Sequence, residues 1–320
     1  MKKLSSFLTL LLAITSIFIL AACSEKPCEH NWSNATCTTA KVCTLCNETE
    51  GSALGHSFGE WNETLAATCT TDGSKNRQCS VCQNTETQTI TKLGHNHKPL
   101  NDIVYINTYG FGKYECETCH NAIYKDKDGN NLVVADLVLN NDNTIVMSCS
   151  NIATAELLII PETVKSFDDK TLFSNCDSLQ YVLFNEKKFE VWFQGSSIKQ
   201  IVIPAKMDAY LSFCDNLKTV IWDEGSTQID GLLWGSSVEN IIIPKSMVII
   251  ESNVFNNCKQ LSAVYYMGTA SDWDLRYRNG AISYIGNDYL KNATRYYYSE
   301  TQPTEQGNYW HYVDGVPTIW

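Results

Sequence analysis

The sequence is poor in positive charge, in long apolar runs after its first residues, and in the motifs that usually announce catalysis. Lys and Arg number 24 against 35 Asp and Glu, a formal net charge of −11, which argues against nucleic-acid binding through a basic surface. Beyond Leu4–Ala22 no segment approaches the length of a membrane span. His311 is the single histidine after residue 120, and Gly-x-Ser-x-Gly, His-Glu-x-x-His and a phosphate-binding glycine loop are all missing. The acidic residues of the C-terminal half form no pair that reads as general acid and base. These absences point away from an enzyme, with a catalytic site within 98–150 as the residual alternative. At 44% hydrophobic and 18% charged residues the chain is globular rather than disordered.

The first residues read as an address. Met1-Lys2-Lys3 is a basic start, Phe7 to Leu20 an apolar core, and Leu20-Ala21-Ala22-Cys23 a small-residue exit, together the pattern of a secretory signal. Those last four residues resemble a bacterial lipobox. The resemblance implies removal of residues 1–22 and a diacylglycerol thioether on Cys23, an anchor that works because two acyl chains hold where one does not. An ordinary cleaved signal with a chance cysteine is the alternative reading.

Cysteine, by contrast, is plentiful. Nine of the 14 lie between Cys28 and Cys119, where a module repeats. The first copy runs from His30-x-Trp32 through Thr36-Cys37-Thr38 and Cys43-x-x-Cys46 to Gly55-His56. The second runs from His56 through Thr68-Cys69-Thr70 and Cys79-x-x-Cys82 to Gly94-His95. Cys116-x-x-Cys119 looks like a third, degraded copy. Units this small and this poor in apolar residues need a cross-link to fold. Three cysteines and a histidine per copy suit a closed tetrahedral zinc set, assigned as Cys37, Cys43, Cys46 and His56, then Cys69, Cys79, Cys82 and His95. In the alternative register the opening histidines His30 and His56 serve, and Cys28 can replace His30. Disulfide staples, usual in exported chains, are the competing reading. Cys116-Glu-Thr-Cys119-His120 also has the spacing of covalent haem attachment, but the knuckle reading explains it without haem, and none is expected.

Residues 98–150 suggest short strands at Asn101–Thr108 and Leu132–Leu139 with a turn at Asp128-Gly129. Asp126 to Asn130 lacks a full calcium ligand set and reads as a plain turn. From Ala155 a second periodicity begins. Its strands are Ala155–Pro161, Leu179–Phe184, Ile198–Pro204, Leu217–Trp222, Val238–Pro244 and Leu261–Tyr266, at the 20–29-residue period of a leucine-rich-repeat solenoid. Cys176, Cys214 and Cys258 recur at one repeat position, as small buried groups rather than nucleophiles would. Ile201, Ile203, Ile241 and Ile243 should face inward and Val202 and Ile242 outward. That outward pair is either a partner-binding patch or part of a second core covered by other segments. Trp192, Trp222, Trp234, Tyr265, Tyr266, Trp273 and Tyr296–Tyr298 divide between packing and binding roles.

The repeat phrasing resembles the BspA-type bacterial leucine-rich repeat. The matching residues are Ile160-Pro161, Val164, Phe173, Cys176 and Leu179; then Ile203-Pro204, Met207, Cys214 and Leu217; then Ile243-Pro244, Val248, Phe255, Cys258 and Leu261. The ending from Ala293 to Trp320 is similar to the closing segment of such proteins. The fold expected is therefore mainly β, a leucine-rich-repeat solenoid preceded by small cysteine-rich, zinc-ribbon-like repeats. The divisions read as 1–22 signal, 23–97 Cys/His repeats, 98–150 a short β-rich segment, 151–267 solenoid and 268–320 aromatic cap. The resemblance implies an extracytoplasmic, surface-exposed protein held to the bacterial membrane through lipidated Cys23. It also implies adhesion, without catalysis, to a host or cell-surface protein. Capture of a solute or glycan for an uptake system is the alternative.

Overall fold

In a computed structural model the chain is described over residues 28–185, 190–205, 207–231 and 233–320; the expected signal and Cys23 lie outside these. The chain divides into a first unit ending at Gly94 and a second beginning at His95.

Short antiparallel strands make up the first unit. Lys41–Val42 pairs with Thr49–Glu50, and Gly73–Gln78 runs between Asn62–Leu65 and Thr85–Ile90. Almost nothing apolar is buried. Among its described residues only Cys37, Cys43, Cys69, Cys79 and Gly73 are buried, while Leu45, Leu54, Leu65, Val81 and Leu93 are exposed. A unit of this kind has no hydrophobic core to hold it.

The second unit opens with a hairpin, Phe111–Cys116 against Ala122–Asp126, flanked by His97–Pro99. The strand expected at Asn101–Thr108 is instead helix α1, Ile103–Tyr109. Local punctuation decides this. The Asp102 side chain accepts the Tyr105 N–H, and Gly110, left-handed at φ 83°, closes the helix by donating to Ile106 O. Tyr105 and Tyr109, four residues apart, then stack at 4.4 Å. Of the expected strand Leu132–Leu139 only Leu137–Leu139 is regular.

The solenoid carries parallel strands on two sides. One side is a seven-stranded sheet, in order Gln200–Ile203, Thr219–Trp222, Asn240–Ile243, Ala263–Tyr266, Thr294–Tyr298, Tyr309–Val313 and Val316–Ile319. Its last pairing is the only antiparallel one. Leu157–Ile159 and Tyr181–Leu183 form a separate parallel pair ahead of it. The other side holds shorter parallel pairs such as Glu190–Trp192 with Asp208–Tyr210 and Gln228–Ile229 with Ile249–Ile250. Pro161, Pro204 and Pro244 end the longer strands because proline cannot extend the ladder. The proline carbonyls then accept from Val164, Met207 and Met247 N–H at 3.0, 3.0 and 3.1 Å. Met247 thus fills the turn position expected for Val248. It is 2% exposed against 44% for Val248.

Both faces of the large sheet are covered. Ile201, Ile203, Val220, Trp222, Ile241, Ile243, Val264 and Tyr266 enter the main core between the two sides. Val202, Ile221 and Ile242 point the other way and are also buried, against Trp310, with Tyr109, Tyr265, Tyr296 and Tyr298 packed around them. The outward face is therefore a second core, because α1 packs over it and Trp310, from the last strands of the same sheet, fills it. Asn107 Nδ2 donates to Asp314 O at 2.8 Å, Gln200 Nε2 donates to Asn107 O at 2.8 Å, and Trp310 Nε1 donates to Tyr266 O at 3.1 Å. Near-continuous apolar strands such as Asn240–Ile243 are what two-sided burial of a parallel sheet requires. Helix α2, Ala270–Arg278, starts in a reciprocal capping box between Thr269 and Asp272 and buries Trp273; helix α3, Asp288–Asn292, buries Leu290.

Candidate functional site

The Cys-x-x-Cys turns share one geometry. Cys43 N–H donates to Glu48 O at 2.8 Å and Asn47 N–H to Cys43 O at 3.0 Å; Cys79 and Gln83 repeat both bonds at 2.8 and 3.0 Å, with Asn84 O as the first acceptor. In the second unit Cys116 N–H bonds Asn121 O and His120 N–H bonds Cys116 O, each at 2.9 Å. Asn47, Gln83 and His120 are all left-handed, at φ 64°, 62° and 58°. The Cys-x-x-Cys turn of the third, degraded copy thus keeps the geometry of the other two. The His120 side chain turns to a carboxylate instead, with Nδ1 2.7 Å from Glu115 Oε1.

The knuckles gather different partners from those first assigned. Cys28, His30, Cys43 and Cys46 form one set, and Cys37, His56, Cys79 and Cys82 another, with all ligand atoms of a set within 4.8 Å of one another. His30 Nδ1 lies 3.3 Å from Cys46 Sγ, and His56 Nδ1 lies 3.3 Å from Cys82 Sγ. In the second unit His95 Nδ1 lies 3.3 Å from Cys119 Sγ. His56 therefore closes the set of Cys79 and Cys82, not that of Cys43 and Cys46, and His95 sits with the third knuckle. The physical reason is a strand pairing. The residue two after each histidine, Trp32, Phe58 or His97, pairs antiparallel with Cys43, Cys79 or Cys116, which swings the histidine onto the turn's second cysteine. Cys37 reaches the second set because Leu54 N–H bonds Thr36 O at 2.9 Å and Gly55 N–H bonds Cys37 O at 3.1 Å, beside His56. Cys69 is buried with the same pairing, its carbonyl accepting from Gly94 at 3.1 Å. Cys28, His30, Cys116 and Cys119 are the ligand-type residues outside the first assignment. The sequence signals for them were the alternative register, which uses His30 and Cys28, and the spacing of Cys116-x-x-Cys119.

Turn amides and neighbouring thiols set the thiol acidities. In Cys43 burial pushes the thiol up, but the N–H groups of Leu45 and Cys46 outweigh it and bring it to about 6. The Cys82 N–H, opposed by burial, brings Cys79 to about 5, and the Thr118 N–H does the same for Cys116 at about 5. Cys28 is pushed to about 12 by its hydrogen bond with Cys46 and by burial, and Cys37 to about 11, chiefly by burial. One thiol of each set ionises readily while its neighbour resists, as crowded like charges do. The His30 Nε2 stands 3.2 Å from Glu48 Oε2, which fixes the ring with Nδ1 toward sulfur.

Elsewhere the residues with chemical potential are occupied structurally. Asp126 Oδ1 accepts from Asp128 and Asn130 N–H, and its Oδ2 from Asn130 Nδ2, so that loop is a self-satisfied turn. Cys176, Cys214 and Cys258 are buried in the main core. Cys214 Sγ donates to Phe193 O at 3.2 Å and Cys258 Sγ to Leu233 O at 3.1 Å. Ser196 and Ser236 occupy the same position in the intervening coils, and Ser196 Oγ donates to Phe173 O at 2.9 Å. The ladder therefore has one rung per coil, twice the density that the cysteines alone suggest.

At the adjoining corner each coil turns through a left-handed residue: Asn175, Gly195, Phe213, Gly235 and Asn257. Phe213 is the exception in kind, because bulky side chains avoid φ near its 57°. It is 43% exposed, and its ring lies 5.5 Å from that of Trp234, tilted by 48°, with Trp234 itself 46% exposed. Next to this corner Trp192 and Tyr210 pair at 5.3 Å, and Lys170 Nζ lies 5.0 Å over the Trp192 ring. Trp222, Tyr266 and Trp273 are core residues instead.

The fold is that of a leucine-rich-repeat β-solenoid. Residues 142–262 match, in six copies, the family described as BspA type Leucine rich repeat region, and that stretch of the chain is such a region. Leucine-rich-repeat domains generally mediate protein–protein interaction, and proteins with BspA-type repeats are usually surface-exposed. No curated protein is matched by the chain. Among the described residues no helix is long and apolar enough to cross a membrane.

Proposed function

We propose that the protein is a lipid-anchored, non-catalytic binding protein of the bacterial cell surface, adhesin-like, which engages a host or cell-surface protein. Cys23 carries the anchor, on the strength of the Leu20-Ala21-Ala22-Cys23 sequence. The observation that carries the binding role is the repeat region itself together with the Phe213–Trp234 pair, an exposed aromatic step on consecutive coils. Strained backbone under an exposed aromatic is retained where something other than folding selects it, and aromatics of this kind are the usual anchors of interfaces. With Val202 and Ile242 covered, this corner replaces the sheet face as the binding surface.

Two experiments test the proposal. Cys23→Ala should move the protein from the membrane to the soluble fraction and abolish fatty-acid labelling; a wild-type chain that partitions to the aqueous phase in detergent separation contradicts the anchor. The full mature chain should retain a protein from host matrix, mucosal or cell-surface extracts. Retention of a soluble saccharide with no protein ligand would favour the uptake reading instead.

A further inference from the structure

We propose that the Cys/His clusters of the first unit are structural zinc sites, and that the second of them staples successive repeats together. Among the described residues of that unit the buried ones are cysteines and one glycine, and the leucines face solvent, so burial of apolar surface does not supply the stability of its strands. Whatever holds the unit passes through the sulfurs.

The spacing of the sulfurs identifies the link. A disulfide needs sulfurs about 2.05 Å apart. Zinc bound at about 2.3 Å to sulfur sets the edge of its tetrahedron at about 3.8 Å, and a sulfur–nitrogen edge somewhat shorter. Cys28 and Cys43 Sγ are 3.9 Å apart, Cys37 and Cys79 Sγ 3.8 Å, and each histidine Nδ1 is 3.3 Å from its cysteine. Three sulfurs and one nitrogen at tetrahedral edges form a closed site that suits zinc and leaves no coordination position for catalysis. The Glu48 carboxylate on His30 Nε2 is the outer partner that metal-bound histidines characteristically have.

The order of ligands along the chain gives the site its second property. Cys37 belongs to the first repeat, whereas His56, Cys79 and Cys82 belong to the next. One ion therefore closes two repeats at once, and the unit is a chain whose links are metal bonds. Loss of metal undoes both the fold of each repeat and its connection to the next.

The test uses the full chain, with zinc counted by elemental analysis and each cysteine scored by alkylation and mass spectrometry. The wild type should hold at least two zinc ions, with all eight ligands of these sets retained and the six cysteines protected. Cys37→Ala should lower the zinc content by one and expose Cys79 and Cys82 to alkylation, while Cys43 and Cys46 stay protected. Cys43→Ala should do the reverse. Any other labelling pattern overturns the register, in particular exposure of Cys43 and Cys46 by Cys37→Ala. A chain with oxidised cysteines and no zinc overturns the metal.

Discussion

Phe213 shows how a single residue departs from its repeat. Asn175 and Asn257 hold the equivalent left-handed corner with a residue that tolerates it, and Gly195 and Gly235 with none of the steric cost. Phe213→Asn is therefore expected to leave thermal stability equal to or above wild type, to within about 1 kcal/mol, in contrast to the usual cost of removing an aromatic. Calorimetry of the full chain checks this. The cysteine ladder gives a complementary expectation. Because Ser196 fills the same rung with the same bond to a neighbouring coil, Cys214→Ser should cost less than about 1 kcal/mol in urea unfolding. Much at this scale was legible in advance. The period of Cys176, Cys214 and Cys258 marked a ladder, although the intervening serines hid half of its rungs. The ligands were legible as residue types and their register was left between two choices, since His56 can be read as an ending or as an opening, and the pairing of Phe58 with Cys79 places it with the opening of the second copy.

Among the elements, the repeat strands were the most readable because their apolar pattern is strong and their ends are fixed by Pro161, Pro204 and Pro244. Alternation alone could not say what covered Val202 and Ile242, since the cover comes from distant α1 and from Trp310. With Ile242 1% exposed in that second core, Ile242→Asp is expected to destabilise the second unit by at least about 3 kcal/mol, as a fall in its unfolding midpoint. Near-wild-type stability would mean that the face is open. Helix α1 was hidden for another reason: Ile103, Val104 and Tyr105 favour strands, and the Asp102 and Gly110 caps outweigh that preference. Helix α2 depends on its cap in the same way. Thr269→Ala removes the acceptor for Asp272 N–H at 3.1 Å and should cost about 1 kcal/mol, measurable by chemical denaturation.

For the whole molecule, two kinds of stabilisation divide the chain. The second unit has a continuous apolar core, and the first has cysteine clusters where a core would be. A strong chelator is therefore expected to abolish the circular-dichroism contribution of the first unit and leave the thermal transition of the second in place. Loss of both transitions together would contradict this division. The central claim is that the solenoid binds a protein through its aromatic corner. Its most direct test is attachment of the full mature chain, wild type against the Phe213→Asn, Trp234→Ala double variant, to immobilised host matrix or cell-surface protein. The variant should unfold at the wild-type temperature and attach at least about tenfold more weakly, a loss of about 1.4 kcal/mol. A folded variant that attaches as well as wild type would contradict it.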